Sequence, residues 1–322
     1  AVNIKATDGT VIAGRTMEWA FDMKWTINSI PQGTRLKVGA PDALKLPPIQ
    51  FITKYAVLGV SPAIIPGNPA LLEGQNSAGL GMSGNFLPGF TEYQTVTAKD
   101  LDYVSILDFG ALALGMFANI AELKKELPRY KVWYDASLPS GPTPPWLHFV
   151  FTDRTGASII VEFVKGQMRI HDNVANVLTN SPTYDWHITN ARNYLSLSNF
   201  APSSVTVNGQ NVTEIGQGGG LVGLPADYTP PSRFIRAAYL RQLSTPANNR
   251  TEGVQLVGHI LNNVDIPIGV AANKDGAKVV SDYTQWVVIK DLNNQQWHVS
   301  NYMNRTNYVT IDLKKIFDGG KP

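Results

Sequence analysis

Val2, Ile4 and Ala6 alternate with polar residues, Asp8-Gly9 follows, and Val11, Ala13 and Arg15 resume the alternation. Strand side chains point to opposite faces in turn, and Asp-Gly between two alternating runs is a strong hairpin signal. The same logic predicts a second hairpin from residues 146–152 and 157–164 around Arg154-Thr155-Gly156. A third joins 284–290 to 296–303 around Asn293-Asn294, and a last strand runs near 308–313 before the polar Asp318-Gly319-Gly320-Lys321. Between the hairpins the period changes. Residues 101–127 read as one or two buried helices, broken near Gly115 and ended by Pro128, and 183–197 read as a helix opening after Pro182 with Asp185 in its first turn. Ser232 is placed to cap a helix over 233–243, with Phe234, Ala237, Ala238 and Leu240 on its apolar face. A further amphipathic helix over 251–262 opens with Glu252.

Antiparallel hairpins at both ends with helices between them predict an α+β fold of two antiparallel sheets covered by helices. The proline-rich runs at 41–48, 139–145 and 225–231 read as ordered loops, each too short to link independent domains. The chain is therefore expected to form a single domain over 1–322, without repeats or low-complexity tracts.

Composition narrows the function classes. The 322 residues are 43% hydrophobic and 16% charged, enough to bury a sizeable core. A net charge of +2 gives no polyanion signature and argues against a nucleic-acid partner. The most apolar stretch, 106–120, is short and carries Asp108 and Asn119, so no membrane span is expected. No signal-peptide pattern opens the sequence, which starts in a strand-like run as a processed or trimmed protein would. There are no cysteines, hence no disulfides and no thiolate metal site. His148, His171, His187, His259 and His298 lack the spacing of a helical zinc motif and read as surface or satisfied core histidines. No thiolate or helical histidine metal site is expected.

Three segments invite chemistry. Gly81-Met82-Ser83-Gly84 lacks the second spacer of a nucleophile elbow and reads as a tight glycine turn. The glycine-rich 216–220 is followed by no Lys-Ser/Thr pair and reads as a surface loop. Gly14-Arg15-Thr16-Met17-Glu18-Trp19 sets opposite charges three residues apart among aromatic and sulfur side chains. By itself that is a structural ion pair at a strand end.

This hexapeptide resembles the Gly-Arg-x-(Met/Leu)-Asp-(Trp/Phe) signature near the start of mature choloylglycine hydrolases, the family of bile salt hydrolases and penicillin V acylases. The resemblance continues in order. Leu178-Thr179-Asn180-Ser181-Pro182-Thr183-Tyr184-Asp185 is similar to the family's Thr-Asn-x-Pro-Thr-(Phe/Tyr)-Asp segment. Leu224-Pro225-Ala226-Asp227-Tyr228 and Ser232-Arg233-Phe234-Ile235-Arg236-Ala237-Ala238 follow, then Tyr283-Thr284-Gln285 and Asp291-Leu292-Asn293-Asn294 in the last hairpin.

The resemblance implies the four-layer αββα sandwich of N-terminal-nucleophile hydrolases. It also implies cofactor-free hydrolysis of a linear amide by an N-terminal cysteine, through a thioester, with the cysteine's own amine as base. Aligned without gaps from Gly14-Arg15, relatives begin Cys-Thr two residues before Ala1. The chain as written is then expected to be inactive for want of its nucleophile. The implied catalytic residues are Arg15 beside the sulfur, Glu18 at the family aspartate that holds the amine, Asn180 as oxyanion donor and Arg233 as added positive charge. A second oxyanion donor is implied as a backbone N–H near Asn85 or Phe86, one position out of step with the family. For Asn180 the plain alternative is a helix N-cap, and for Arg233 a first-turn surface charge.

Met17, Trp19, Phe21, Trp25, Asn85 and Phe86 are expected to bind an apolar acyl group; any one of the apolar ones, Trp19 above all, could equally be core. The candidate substrates are penicillin V, a glycine- or taurine-conjugated bile acid, or an N-acyl homoserine lactone. The rival from another class is a non-catalytic binding protein for hydrophobic acyl compounds. Relatives are commonly homotetramers, and are periplasmic in Gram-negative and cytoplasmic in Gram-positive bacteria. A homo-oligomer and a periplasmic location, with the cytoplasm as alternative, are the expectations here.

Overall fold

A computed structural model describes residues 1–62, 70–138 and 144–319. The first hairpin forms as the alternation requires: Val2–Lys5 pairs antiparallel with Val11–Trp19, Val2 opposite Gly14. Val11–Trp19 pairs in turn with Lys278–Asp291, Arg15 opposite Val288 and Met17 opposite Trp286. Gln296–Asn301 and Val309–Asp312 extend this sheet, and Ala271–Asp275 adds to the outer end of Lys278–Asp291.

A second antiparallel sheet runs, in spatial order, Gln167–Asp172, Ser158–Val164, Leu147–Thr152, Gly81–Phe86, Glu73–Asn76, Val57–Pro62 and Trp25–Ile30. Met17, Trp286, Val288 and Trp297 of the first sheet pack on Leu58 and Val60 of the second and on Leu72, just before its strand Glu73–Asn76. The outer face of the first sheet, with Ile12, Val287 and Ile289, is covered by helices Pro230–Leu243 and Arg250–Asn262 through Phe234, Ile235, Val257 and Leu261. The outer face of the second, with Val57, Met82, Phe149 and Phe163, is covered by helix Ile106–Met116 through Phe109 and Leu112. The layers are thus helix, sheet, sheet, helix, the αββα sandwich. Burial of this kind contributes about 25 cal/mol per Å² of apolar surface, so the three interfaces carry the fold. Gly14 is needed for the closeness of the first two layers. A Cβ there would lie 2.4 Å from Val257 Cγ1.

Several local expectations are corrected. The helical reading of 101–127 fails at its start, where Tyr103–Ser105 is a strand and Ser105 caps the helix that follows. That segment continues as Ile120–Glu126 and a 3-10 turn at Leu127–Arg129. Helix Tyr184–Asn190 gives way to a 3-10 turn over Ala191–Tyr194. Ser232 is not a cap. The helix already starts at Pro230 with Thr229 as N-cap, because proline suits the first turn, and Ser232 donates to Asp227 Oδ2 at 2.6 Å. Gly81 to Gly84 is not a turn but part of a buried strand at the middle of the second sheet. Its glycines make room for neighbours, since a Cβ on Gly84 would lie 2.8 Å from Phe149 Cε1. The 139–145 run falls mostly outside the described residues, as do Gly320 and Lys321.

Candidate active site

Alternation on Val11–Trp19 sends Arg15 and Met17 between the sheets and Thr16 and Glu18 toward the helices. Arg15 and Glu18 therefore do not form the strand-end ion pair. Arg15 is 3% exposed. Its guanidinium donates to the carbonyls of Leu72 at 3.0 Å and Gly84 at 2.8 Å and lies 2.7 Å from Met17 Sδ. Its carboxylate is Glu73 of the opposite sheet, Nη1 to Oε2 at 3.6 Å. The other oxygen of Glu73 pairs with Lys290 Nζ and accepts from Ser83 Oγ at 2.9 Å. Burial pulls the Arg15 guanidinium below its usual range and Glu73 counteracts this. Glu18 instead accepts from Thr284 Oγ1 at 3.2 Å.

Ala1 lies where this strand meets the segment before Asn180. Its nitrogen donates to Leu178 O at 2.7 Å, and Val2 bridges Val177. Burial holds this amine well below its ordinary value, to about 5, and the positive charges of Arg15 and Arg233 add to the effect against Glu18.

Asn180 spends its side chain on two fixed contacts. Nδ2 donates to Phe86 O at 2.8 Å, and Oδ1 accepts from Arg233 Nη2 at 2.7 Å. It caps no helix; the residue before helix Tyr184–Asn190 is Thr183. Arg233 is no surface charge either, being 8% exposed, and its Nε donates to Tyr228 O at 2.9 Å. The amide of Asn180 is thus oriented, with one N–H of Nδ2 committed and one left over. Asn85 contributes its side chain elsewhere: Nδ2 donates to Thr179 O at 2.8 Å and Leu178 O at 3.3 Å.

Arg15, Glu18, Asn180 and Arg233 line one cavity of about 320 Å³ together with Ala1. Met17, Trp19, Phe21 and Phe86 from the expected set form its apolar wall, and Asn85 lines it as well. Trp19 stands edge-on to Phe86, ring centroids 5.0 Å apart, and to Phe21 at 5.8 Å. Trp25 is not among the lining residues. It packs on Trp286 at 5.2 Å in the core between the sheets. Sequence reasoning missed Glu73 and Lys290, buried charges with no local signature. It also missed Asp282, which lines the cavity one residue before the Tyr283-Thr284-Gln285 motif. Burial, with Glu18 adding to it, pushes the Asp282 carboxyl up. Adjacency to that motif was the only available clue.

Residues 1–317 match the model of the linear amide C–N hydrolases, choloylglycine hydrolase family. The chain belongs to this family. It is 32% identical to the bile salt hydrolase/transferase of Clostridium perfringens over 97% of this chain and 91% of that protein. A solved mutant of the conjugated bile acid hydrolase from the same organism has a TM-score of 0.85 at 31% identity, covering 99% of this chain and 94% of the other. The penicillin V acylase of Pectobacterium atrosepticum is 24% identical over 95% of this chain and 77% of its own length. The protein is therefore a linear amide hydrolase by family, with the fold of the N-terminal-nucleophile hydrolases.

Proposed function

We propose that the active protein carries Cys-Thr immediately before Ala1 and hydrolyses N-acyl amides through a thioester on that cysteine. One observation carries this reading. Two pairings flank the first residues: Val2 faces Gly14 on one side and Val177 on the other. In an antiparallel pair, each step back on one strand is a step forward on its partner. Ala1 then stands opposite Arg15 and Leu178, and the position two residues earlier stands opposite Met17 and Asn180. Alternation turns its side chain to the face of Arg15 and Met17, toward the second sheet.

A thiolate there is favoured by the buried guanidinium of Arg15. An α-amine in these surroundings is pushed toward its neutral form by burial and by cationic neighbours, the causes that lower the Ala1 amine. It can take the thiol proton and later deliver it to the leaving nitrogen. Sulfur bonds to the carbonyl carbon, the spare N–H of Asn180 meets the developing oxyanion, and the C–N bond breaks. Water then displaces sulfur and releases the acid. Met17, Trp19, Phe21 and Phe86 form a wall suited to a flat apolar acyl group.

The acyl group is read as phenoxyacetyl-like from the paired aromatic rings. A conjugated bile acid is the second reading, favoured by the 32% identity to a bile salt hydrolase. The test is turnover of both substrates by the chain extended with Cys-Thr. Activity is expected in the extended chain and none in the chain beginning at Ala1. Full activity from Ala1→Cys with none from the extension would refute the register. Binding without turnover by the extended chain would favour an acyl-binding protein.

A further inference from the structure

The carbonyls that lead into Asn180 are held by buried side chains. Thr179 O accepts from Asn85 Nδ2 and lies 3.1 Å from His148 Nε2, and Asn180 O lies 2.9 Å from His187 Nε2. His148 and His187 are both fully buried. His148 sits on Leu147–Thr152 of the second sheet, opposite Asn85, and its other nitrogen, Nδ1, lies 3.0 Å from Glu162 Oε1. Glu162 is fully buried as well, and its Oε1 also accepts from the backbone N–H of Tyr184 at 3.0 Å.

The chemistry of these contacts is restrictive. A carbonyl oxygen only accepts, so the contact to Thr179 requires a proton on His148 Nε2. Glu162 Oε1 accepts from Tyr184, and its contact with Nδ1 needs a further proton, carried by the ring or by the carboxyl. The ring thus bridges Glu162 to the backbone one residue before Asn180. No substrate-lining role is open to His148, which is not among the residues of the cavity. What remains is the position of the Thr179–Asn180 peptide. Asn180's amide is tied at Phe86 O and Arg233, but where it stands depends on the backbone that carries it.

We propose that His148, braced by Glu162, is a positioning residue that sets the Thr179–Asn180 backbone and through it the aim of the Asn180 amide. The inference rests on the reading of Asn180 as oxyanion donor. Displacement of a reacting group by about 1 Å can lower a rate by about 100-fold, so a brace of this kind acts on kcat rather than on binding.

The experiment uses two conservative variants in the Cys-Thr-extended chain. Gln reproduces the reach of Nε2 toward Thr179, and Asn reproduces that of Nδ1 toward Glu162. His148→Gln is expected to keep kcat within about three-fold, whereas His148→Asn loses about 10–100-fold in kcat with little change in KM. Equal losses in both, or an unaltered kcat in His148→Asn, would overturn the proposal, since packing alone predicts one of these. Two NMR readouts do not depend on turnover. In the unsubstituted protein the Nε2 resonance of His148 is expected to be of the protonated type; a bare nitrogen there overturns the proposal even if the variants do not fold. The side-chain amide signals of Asn180 are expected to move in His148→Asn and to stay in His148→Gln. An unsubstituted extended chain inert toward every amide would sink the functional reading, and the Asn180 signals would still decide the positioning one.

Discussion

Arg15 and Glu73 meet across the two sheets, Nη1 to Oε2 at 3.6 Å, both all but excluded from solvent. Glu18, three positions along the same strand as Arg15, faces the other way. The charge that compensates the arginine of the site thus comes from 58 residues downstream, and Lys290 shares it.

That sharing makes Glu73 the carboxylate on which two buried cations depend. Glu73→Gln leaves Arg15 and Lys290 buried without a carboxylate, and breaking a buried pair in this way destabilises by about 3–5 kcal/mol. Lys290→Met added to it should recover part of the loss by removing one stranded charge. Urea unfolding measures both. A midpoint for Glu73→Gln equal to that of the parent would show that the cluster contributes no net stability.

Asn180→Ala in the Cys-Thr-extended chain should lower kcat by about 100- to 1,000-fold, as removal of one oxyanion donor does, with KM little altered. Steady-state kinetics decide it. A loss confined to KM would assign Asn180 to substrate binding instead.

The chain that begins at Ala1 should show a pH-dependent stability from its amine. That group titrates at about 5 when folded and near 8 when unfolded. Between these values the unfolded chain holds a proton that the folded chain has shed. Stability from this group therefore rises with pH across about 5 to 8 and levels off above it. N-acetylation should flatten that part of the profile. Denaturant midpoints measured across the window for both forms would show it, and parallel profiles would refute it.

The aromatic wall should favour penicillin V over glycocholate in kcat/KM for the extended chain. Trp19, Phe21 and Phe86 can stack on a phenoxyacetyl group, and such pairs contribute about 0.5–1.5 kcal/mol beyond area burial. Trp19→Ala should then raise KM for penicillin V. Trp25→Leu should lower stability and leave KM alone, because Trp25 packs on Trp286. Equal or higher kcat/KM for glycocholate would reverse the acyl preference.

The sequence by itself determined what depends on neighbours along the chain. Asp8-Gly9 with alternating flanks makes the first hairpin, and Arg154-Thr155-Gly156 and Asn293-Asn294 make two more. The helices at Pro230–Leu243 and Arg250–Asn262 follow their apolar spacing. The ordered motifs pointed to Arg15, Glu18, Asn180 and Arg233, which the structure brings to one cavity. Gly81 to Gly84 read as a turn, not as the strand it is, because a strand buried on both faces has no alternation to read. Glu73, Lys290 and Glu162 escaped because a charged residue is normally solvated, and nothing adjacent marks the exception; His148 had read as either a surface or a satisfied core histidine, and it is the second. Their burial is stable only where partners from distant strands arrive in register. Lys290 finds Glu73 from 217 positions away, and His148 finds Thr179 from 31. Local pattern sets period and turn. Only the stacking of one sheet on the other decides which buried charge meets which, because desolvation penalises every arrangement in which they fail to meet.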